Sequence, residues 1–504
     1  MTEARQRGER RTAEGSRRDP VVTAITAGVG LLLSLQAIIF LVHSWGCITF
    51  PYQLDYGEGP ILQIALRVAA GKELYPDVTG YPYVIASYMP GYYLLSALAV
   101  RITGPSFAGG RFISFLGAIT IALCVGMVVW ERTRHRFASF AAGALILAIP
   151  HFLVWSTLMR VDIPALAFGV AGFCLFTRGR ITAGIVLFAL AVFTRRTAVA
   201  PMAAALLWLA WRSGWRAALK AAVVQALVIA VLVGAALLVT RGGLYRQLSW
   251  HTATSLGGSW TWQQIGVILS IAVRHWPVYL LLSGVGGVWC LARPRHRVLV
   301  VYLAIACGMA LTMGRIGSSH NYLLEPLAAG AMVFGVAWAE LAGPVRPRRI
   351  ALLVLGGLLA GQMLATDHRL SYNISLLRPR VSLAAGREVV SRLAEAPGMV
   401  LCEDVGLIEL AGKEAPIEPF EFTQLARAGV VESAGVVEDL HRGRFSLVVL
   451  RCDAAEVRAG DPGVQWVFDR WLESALAEIR SEYRLDRRTG PYWLYVPRGD
   501  LETE

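Results

Sequence analysis

Two carboxylates within one turn's reach, Asp55 and Glu58, stand in the most unusual polar stretch of the chain, PYQLDYGEGPILQIALRVAAGKELYPDVTGYPYVIASYMPGYY (51–93). A carboxylate at a dry edge can act as a general base once burial and neighbours tune its proton affinity. Arg160 and Asp162 follow in WSTLMRVDIPALAF. Their spacing allows an ion pair, or separate roles in which the acid orients a base or a substrate hydroxyl and the arginine clamps a phosphate. Arg195 and Arg196 sit side by side in TRRT, between two short apolar segments. A bound anion, such as a phosphate or diphosphate lipid, would account for them. Arg315, His320, Asn321 and Tyr322 form a dense polar group in GRIGSSHNY and read as a substrate-contact loop. Tyr81, Tyr83, Tyr88, Tyr92 and Tyr93 offer ring faces for stacking on a sugar, or for an interfacial belt. His251, Trp250, Trp260 and Trp262 read first as interfacial anchors.

These residues need elements to hold them, and the composition says which kind. Of 504 residues, 55% are hydrophobic and 16% charged, against roughly 25% charged in a soluble domain. With a mean hydropathy of +0.52, the chain reads as a polytopic membrane protein with a smaller soluble part. The net charge of +13 is carried by arginine, since Lys72, Lys220 and Lys413 are the only lysines. The arginines fall in short runs between apolar segments, which is the positive-inside pattern and not a nucleic-acid surface. No GxxxxGK[ST], no Rossmann fingerprint with a fitting acid and no GxSxG occurs, so a nucleotide is not expected as direct substrate. HExxH, CxxC and Cys/His clusters are absent as well.

Eleven apolar segments follow in order: 20–42, 108–130, 138–154, 163–177, 181–194, 197–211, 217–240, 276–292, 297–313, 322–341 and 349–366. The segment 88–104 is apolar but short and holds Pro90, Gly91 and Arg101. If it does not cross, the basic runs 131–136, 178–180, 211–216, 292–297 and 343–349 all share the cytoplasmic side with the basic N-terminus, so it is assigned as juxtamembrane or re-entrant. The expected fold is therefore mainly α, a polytopic helical bundle of about eleven spans with a small C-terminal α/β extracytoplasmic domain. Residues 1–19 are expected as a disordered cytoplasmic tail, 20–366 as the membrane domain with an outer loop at 43–107, and 367–504 as the soluble domain. In this topology the 51–93 loop, MRVD, TRRT, the 241–262 loop, GRIGSSHNY and the C-terminal domain meet on the outer face.

In the tail, MVLCED (399–404), FSLVVLRC (445–452) and YWLYV (492–496) read as strands, and FTQLARAG, VVEDLHRG and WVFDRWLESALAEIRSEY as helices. Cys402 and Cys452 end two of the strands, and a disulfide is open to them if those strands are neighbours.

The order DYGEG, YMPGYYLLSAL, GRFISF, RVD, TRRT and GSSHNYLLEPL resembles the GT-C superfamily of integral membrane glycosyltransferases over about 20–366. It is most similar to the bacterial branch related to protein O-mannosyltransferases and aminoarabinose transferases. The resemblance implies a polyprenyl-phosphate sugar donor and inversion at the anomeric carbon, at the outer face of a bacterial inner membrane. The acceptor would be a lipid, glycan or protein hydroxyl. By the same resemblance Asp55 is the favoured base, with Glu58 as the other candidate, and Asp162 matches the family's second acid. Arg160, Arg195, Arg196, Tyr88, Tyr92, Arg315, His320, Asn321 and Tyr322 are expected to bind substrate. Arg195 and Arg196 depart from the family's usual lysine and polar residue but keep the charge, and Gly91 stands where many members have a second proline. Asp55, Glu58 and Asp162 could hold a divalent metal, but no metal or cofactor is expected. The amphipathic run 61–70 is expected in the interface, walling the lipid. A transporter or flippase of a lipid-linked sugar is the alternative, though it needs no outer-loop base and usually shows a repeat, which is not found.

Overall fold

The computed structural model describes residues 20–256, 260–315, 317–342, 346–368, 382–458, 460–461 and 463–498. The expected N-terminal tail lies outside them, as does the His251 side chain.

The membrane half opens with α1 (Pro20–Thr49). The polar stretch after it holds α2 (Glu58–Ala69) and α3 (Pro90–Thr103). There follow α4 (Ala108–Thr133), α5 (Arg136–Ala148), α6 (Pro150–Trp155), α7 (Asp162–Thr177), α8 (Ile181–Thr194), α9 (Ala200–Ser213) and α10 (Trp215–Val239). The remainder comprises α11 (Gly243–Leu256), α12 (Trp262–His275), α13 (Pro277–Leu291), α14 (Arg297–Ala310), α15 (Leu324–Leu341) and α16 (Arg346–His368). All eleven expected apolar segments are helical. Among the described residues six helices are long and apolar enough to cross a membrane, or seven if α12 and α13, bent by 96°, count as one span. The others, such as α5, α8 and α9, have 13 or 14 residues, fewer than the roughly 20 of a straight span. The count of about eleven therefore needs these short helices to cross too. At 14 residues, α3 is also short. The 241–262 stretch, expected as a loop, carries the helix α11.

The soluble half comprises α17 (Leu383–Glu395), β1 (Met399–Cys402), α18 (Val405–Leu410), α19 (Pro419–Arg427), α20 (Ala434–His441), β2 (Phe445–Leu450), α21 (Gln465–Arg470), α22 (Glu473–Glu482), β3 (Tyr483–Thr489) and β4 (Tyr492–Pro497). The sheet order is β1-β2-β4-β3, with β1 and β2 parallel and the rest antiparallel. Three strands fall where the sequence places them. The fourth, β3, has no counterpart in the sequence reading, in which the expected helix overlaps only its first residue, Tyr483. WVFDRWLESALAEIRSEY is in fact two helices broken at Trp471 and Leu472, and Tyr483 begins a hairpin closed at Gly490, where φ is +55°. Cys402 and Cys452 are not bridged. Their strands are neighbours, but Cys402 packs with Val400 and Val449 on one face of the sheet and Cys452 with Leu401 and Leu450 on the other.

A buried ion pair fixes the polar stretch to the bundle. Arg111, one turn into α4, and Glu58, first residue of α2, are both fully buried. Arg111 Nε and Nη2 donate to Glu58 Oε1 and Oε2 at 2.8 and 2.7 Å. Its other donors reach the carbonyls of Cys47, Phe50 and Tyr52 at 2.6–2.8 Å. Glu58 also accepts from the amides of Leu54 and Met159. Burial raises the Glu58 carboxyl, but the Arg111 charge and these hydrogen bonds override it and leave it below the ordinary value. Both side chains are fully used, which is the condition under which a buried pair is tolerated.

The apolar face of α2 (Ile61, Leu62, Ile64, Ala65) is buried. It packs against α3 and α18 of the soluble half, so this run is an interdomain element and not a lipid-facing wall. Tyr83 stacks edge-on against Phe422 and Tyr81 against Phe445, so these tyrosines hold the soluble domain and are not spare sugar platforms.

Arg111→Ala leaves Glu58 buried without its cation, so a loss of about 3–5 kcal/mol is expected. Limited proteolysis should then cut within 51–57 first. Unchanged protease resistance would show that the pair does not hold this stretch.

Candidate active site

Five segments of the membrane half, distant in sequence, close with the soluble domain around one cleft of about 390 Å³. Asp55 and Tyr56 come from the stretch after α1, Tyr88 from the segment before α3, and Arg160 from the turn before α7. Arg195 and Arg196 come from the α8–α9 turn, and Arg315, Asn321 and Tyr322 from the α14–α15 connection. The soluble domain supplies Glu418, Phe420, Glu421, Trp466, Asp469 and Arg470. Most of the residues singled out in the sequence thus meet.

Asp55 Oδ1 accepts from Arg160 Nη1 at 2.9 Å and from the Gly57 amide at 3.0 Å. The side chain is 33% exposed, and among the described residues its Oδ2 takes no hydrogen bond. Arg160 also lies over the Trp155 ring, 5.2 Å from its centre, and donates to the Tyr88 hydroxyl at 3.4 Å. This path explains one glycine of DYGEG. A Cβ on Gly57 would stand 1.4 Å from Arg160 Nη1, so any side chain there would displace the guanidinium from Asp55.

Asp162, 3% exposed, sits at the start of α7. Its Oδ1 accepts from Asn321 Nδ2 at 2.7 Å and pairs with Arg195 Nη1 at 2.9 Å. Its Oδ2 is 3.8 Å from Arg160 Nε, beyond hydrogen-bond range. Arg195 lies over the Tyr322 ring at 4.8 Å. Gly91 permits this arrangement from the other side. A Cβ there would lie 2.8 Å from both the Phe193 carbonyl oxygen and Thr194 Oγ1, so a proline or larger residue would push α3 off the end of α8. Beneath Arg195 a cavity of about 30 Å³, room for about one water, reaches Glu325, which accepts from the Tyr302 hydroxyl at 3.3 Å.

Arg196 and Arg315 line the same cleft, and each feels the other's charge. Burial lowers the Arg196 proton affinity, and the Arg315 charge lowers it further. Among the described residues Arg315 has no carboxylate partner. Like charges drawn together at a cleft favour an anion between them.

Four expected site residues do not line the cleft, and the first, Asp162, stands behind Arg195 on the small cavity. Glu58 is not open to substrate, because Arg111 and three backbone amides take its oxygens. Tyr92 is fully buried and donates to the Gly110 carbonyl at 2.9 Å, so it packs α3 on α4. His320 turns away to stack on His151, with ring centres 4.3 Å apart. Asp55, Glu58 and Asp162 do not make a donor set for a cation: Arg111 saturates Glu58, and Arg160 lies between the other two. Among the described residues one group has metal-ligand spacing, His441, Glu478 and Glu482 on the soluble domain, far in the chain from these acids.

The soluble-domain wall was not anticipated. Arg470 lies over Tyr56 at 4.1 Å and over Trp466 at 5.1 Å, and pairs with Glu403, which is 1% exposed. Next to it Asp404 pairs with Arg451 and accepts from Gln53 Nε2 at 3.2 Å. The ED pair closing β1 thus orders both arginines and ties the domain to the stretch that carries Asp55. Glu418, 1% exposed, accepts from the Glu421 amide, and among the described residues its Oε1 has no hydrogen-bond partner. Burial, with the Glu421 charge, pushes its carboxyl up to about 7. Burial does the same for Glu409, also to about 7.

No protein-family model matches this sequence, and no curated protein matches it. Solved structures do. ArnT from Cupriavidus metallidurans bound to undecaprenyl phosphate superposes with a TM-score of 0.60 at 13% identity, covering 95% of this chain and 99% of that one. The chain has the GT-C fold. The GT-C architecture extends to archaeal oligosaccharyltransferase AglB from Archaeoglobus fulgidus, in complex with an inhibitory peptide and a dolichol-phosphate. That match has a TM-score of 0.56 at 12% identity, with 93% of this chain and 75% of that one covered. Coverage of 95% takes in the soluble half as well as the GT-C membrane bundle.

Two expectations follow. Gly57→Ala should cut activity roughly as far as Arg160→Ala does while the membrane bundle melts as before, since it displaces the same guanidinium; full activity would show that Arg160 need not hold Asp55. The second concerns pH. With folded values raised from 4.5 to about 7, Glu409 and Glu418 bind protons in the docked state that the undocked chain lacks. Docking should therefore weaken as pH rises between these values and level off above about 7. Hydrogen exchange at 53–57 and 403–424 should accelerate across that window, and the double change Glu409→Gln, Glu418→Gln should flatten the profile. An equal slope in the double variant would assign it to other groups.

Proposed function

We propose that this protein is a membrane glycosyltransferase that moves a sugar from a polyprenyl-phosphate donor to an acceptor hydroxyl of a lipid, glycan or protein. One observation carries the reading: a carboxylate with an open oxygen, Asp55 Oδ2, shares a cleft with Arg160, Arg195, Arg196 and Arg315. The polyprenyl-type phosphates held by the ArnT and AglB structures support it.

The acceptor hydroxyl oxygen attacks the anomeric carbon of the donor. Its proton passes to Asp55 Oδ2, the bond from the anomeric carbon to the phosphate oxygen breaks, and the electron pair leaves with the lipid phosphate. Arg196 and Arg315 stabilise the charge that grows on that phosphate, the role a metal plays elsewhere. One displacement inverts the anomeric centre. Arg160 keeps Asp55 oriented, and Asp162 with Asn321 holds Arg195 at the cleft wall. In this reading the cleft opens on the extracytoplasmic face of a bacterial inner membrane, and the arginine runs at the opposite helix ends are cytoplasmic.

Asp55→Asn should lower transfer by about 10²–10⁴-fold with donor affinity little changed. Transfer at the wild-type rate would remove Asp55 as base. Label that instead crosses sealed vesicles, with no release from its lipid, would favour transport. Arg315→Ala should weaken polyprenyl-phosphate binding by about tenfold, the worth of one charge-assisted hydrogen bond. Unchanged affinity would take that arginine out of the anion site.

A further inference from the structure

A second cavity, of about 560 Å³, lies in the bundle beyond His151 and His320. It exists because the chain breaks at Trp276 and Pro277, where α12 and α13 meet at 96°. A break inside a helix leaves backbone groups unpaired. Gln362 of α16 serves both sides: its Nε2 donates to the His275 carbonyl at 3.2 Å, and its Oε1 accepts from the Val278 amide at 3.3 Å. The floor of the cavity is α16 from Leu353 to Ala365. Gly357 and Gly361 sit one turn apart on this floor, and a Cβ on either would meet nothing within 4 Å, so the trough is open along its length. Leu358 beside them is 39% exposed.

The far end of the trough is polar. Arg274 is exposed and, among the described residues, has no carboxylate partner. His151 and His275 stand with it. Trp276 lines the same end and is 1% exposed, and among the described residues its Nε1–H has no acceptor. The N-terminus of the fifteen-residue α13 also lies at this end, at Pro277 and Val278. An apolar trough ending in a cation, imidazoles, an unused N–H and a helix N-terminus is complementary to a chain with an anionic head. Length selects among such molecules. Twelve helical steps from Leu353 to Ala365 span about 18 Å, close to the roughly 15 Å of one leaflet's hydrocarbon. That suits a phospholipid acyl chain and is too short for a long polyprenyl.

We infer that this trough is a binding site for an anionic phospholipid, separate from the cleft, with the acyl chain on Gly357 and Gly361 and the phosphate at Arg274. The inference is independent of the proposed transferase activity.

The test uses the full chain in nanodiscs of phosphatidylcholine containing a minor fraction of spin-labelled phosphatidylglycerol. Wild type should immobilise the label. Gly361→Leu should abolish the immobilised component by filling the trough, and Arg274→Ala, a surface change that spares the fold, should weaken it about tenfold. Asp55→Asn should leave it unchanged. Equal immobilisation of labelled phosphatidylcholine, or retention in both Gly361→Leu and Arg274→Ala, would overturn the assignment. Displacement of the label by stoichiometric polyprenyl phosphate would overturn it too, since the trough would then belong to the donor.

Discussion

A guanidinium with all five donors committed underlies the site. Arg111 brings no charge to the cleft, yet the cleft depends on it. It joins α4 to the first residue of α2 and to three carbonyls of the stretch between α1 and α2. That stretch carries Gln53, Asp55, Tyr56 and Gly57. Left to itself, a polar segment after a spanning helix would be a loose loop. Here a dry ion pair with every lone pair and N–H occupied gives it one geometry. Glu58 is thus the acid that makes Asp55 useful, by standing three residues away and doing no chemistry itself.

The cleft then follows from opposed charges placed with few choices. Arg160 can reach Asp55 only across a residue without a side chain, and Gly57 is there. Asp162 draws Arg195 inward at the end of α8, and Asn321 closes on the same oxygen. Arg196 and Arg315 remain at the open side. The soluble domain is part of this arrangement and not an appendage, because Arg470 covers Tyr56 and Asp404 holds Gln53. Its Glu418 and Glu421 line a cleft whose membrane-side wall is rich in arginine, while Glu403 and Asp404 pair with its own Arg470 and Arg451.

Much of this was legible in the sequence, for identifiable reasons. Hydropathy located every apolar segment, since burial in a bilayer leaves a long and uniform signature. The positive-inside pattern put five polar segments on one face; 51–93, MRVD, TRRT and GRIGSSHNY share the cleft, whereas 241–262 contributes none of its lining. Asp55, Asp162 and the arginine turns stood out because charge beside apolar helix is rare. What failed had no local signature. Glu58 and Asp55 are both acids of one loop, and only the partner 53 residues away separates a structural carboxylate from an open one. Tyr88 lies just before α3 and lines the cleft, whereas Tyr92, four positions on, is inside α3 and buried against α4. His320 looked like part of a substrate loop but turns to His151. The walls supplied by the soluble domain come from pairings such as Gln53 with Asp404, more than 350 residues apart, which no spacing rule reaches. The β3 hairpin was hidden because its strand, YRLDRRT, is mostly exposed and polar, so its alternation is faint.

The site of the lipid phosphate decides the role of the cleft. The most direct measurement is an experimental structure of the full chain with polyprenyl phosphate. The phosphate is predicted between Arg196 and Arg315, within hydrogen-bond reach of both, with Asp55 Oδ2 facing the position the sugar would take. A phosphate bound outside the cleft, with these two arginines untouched, would contradict it.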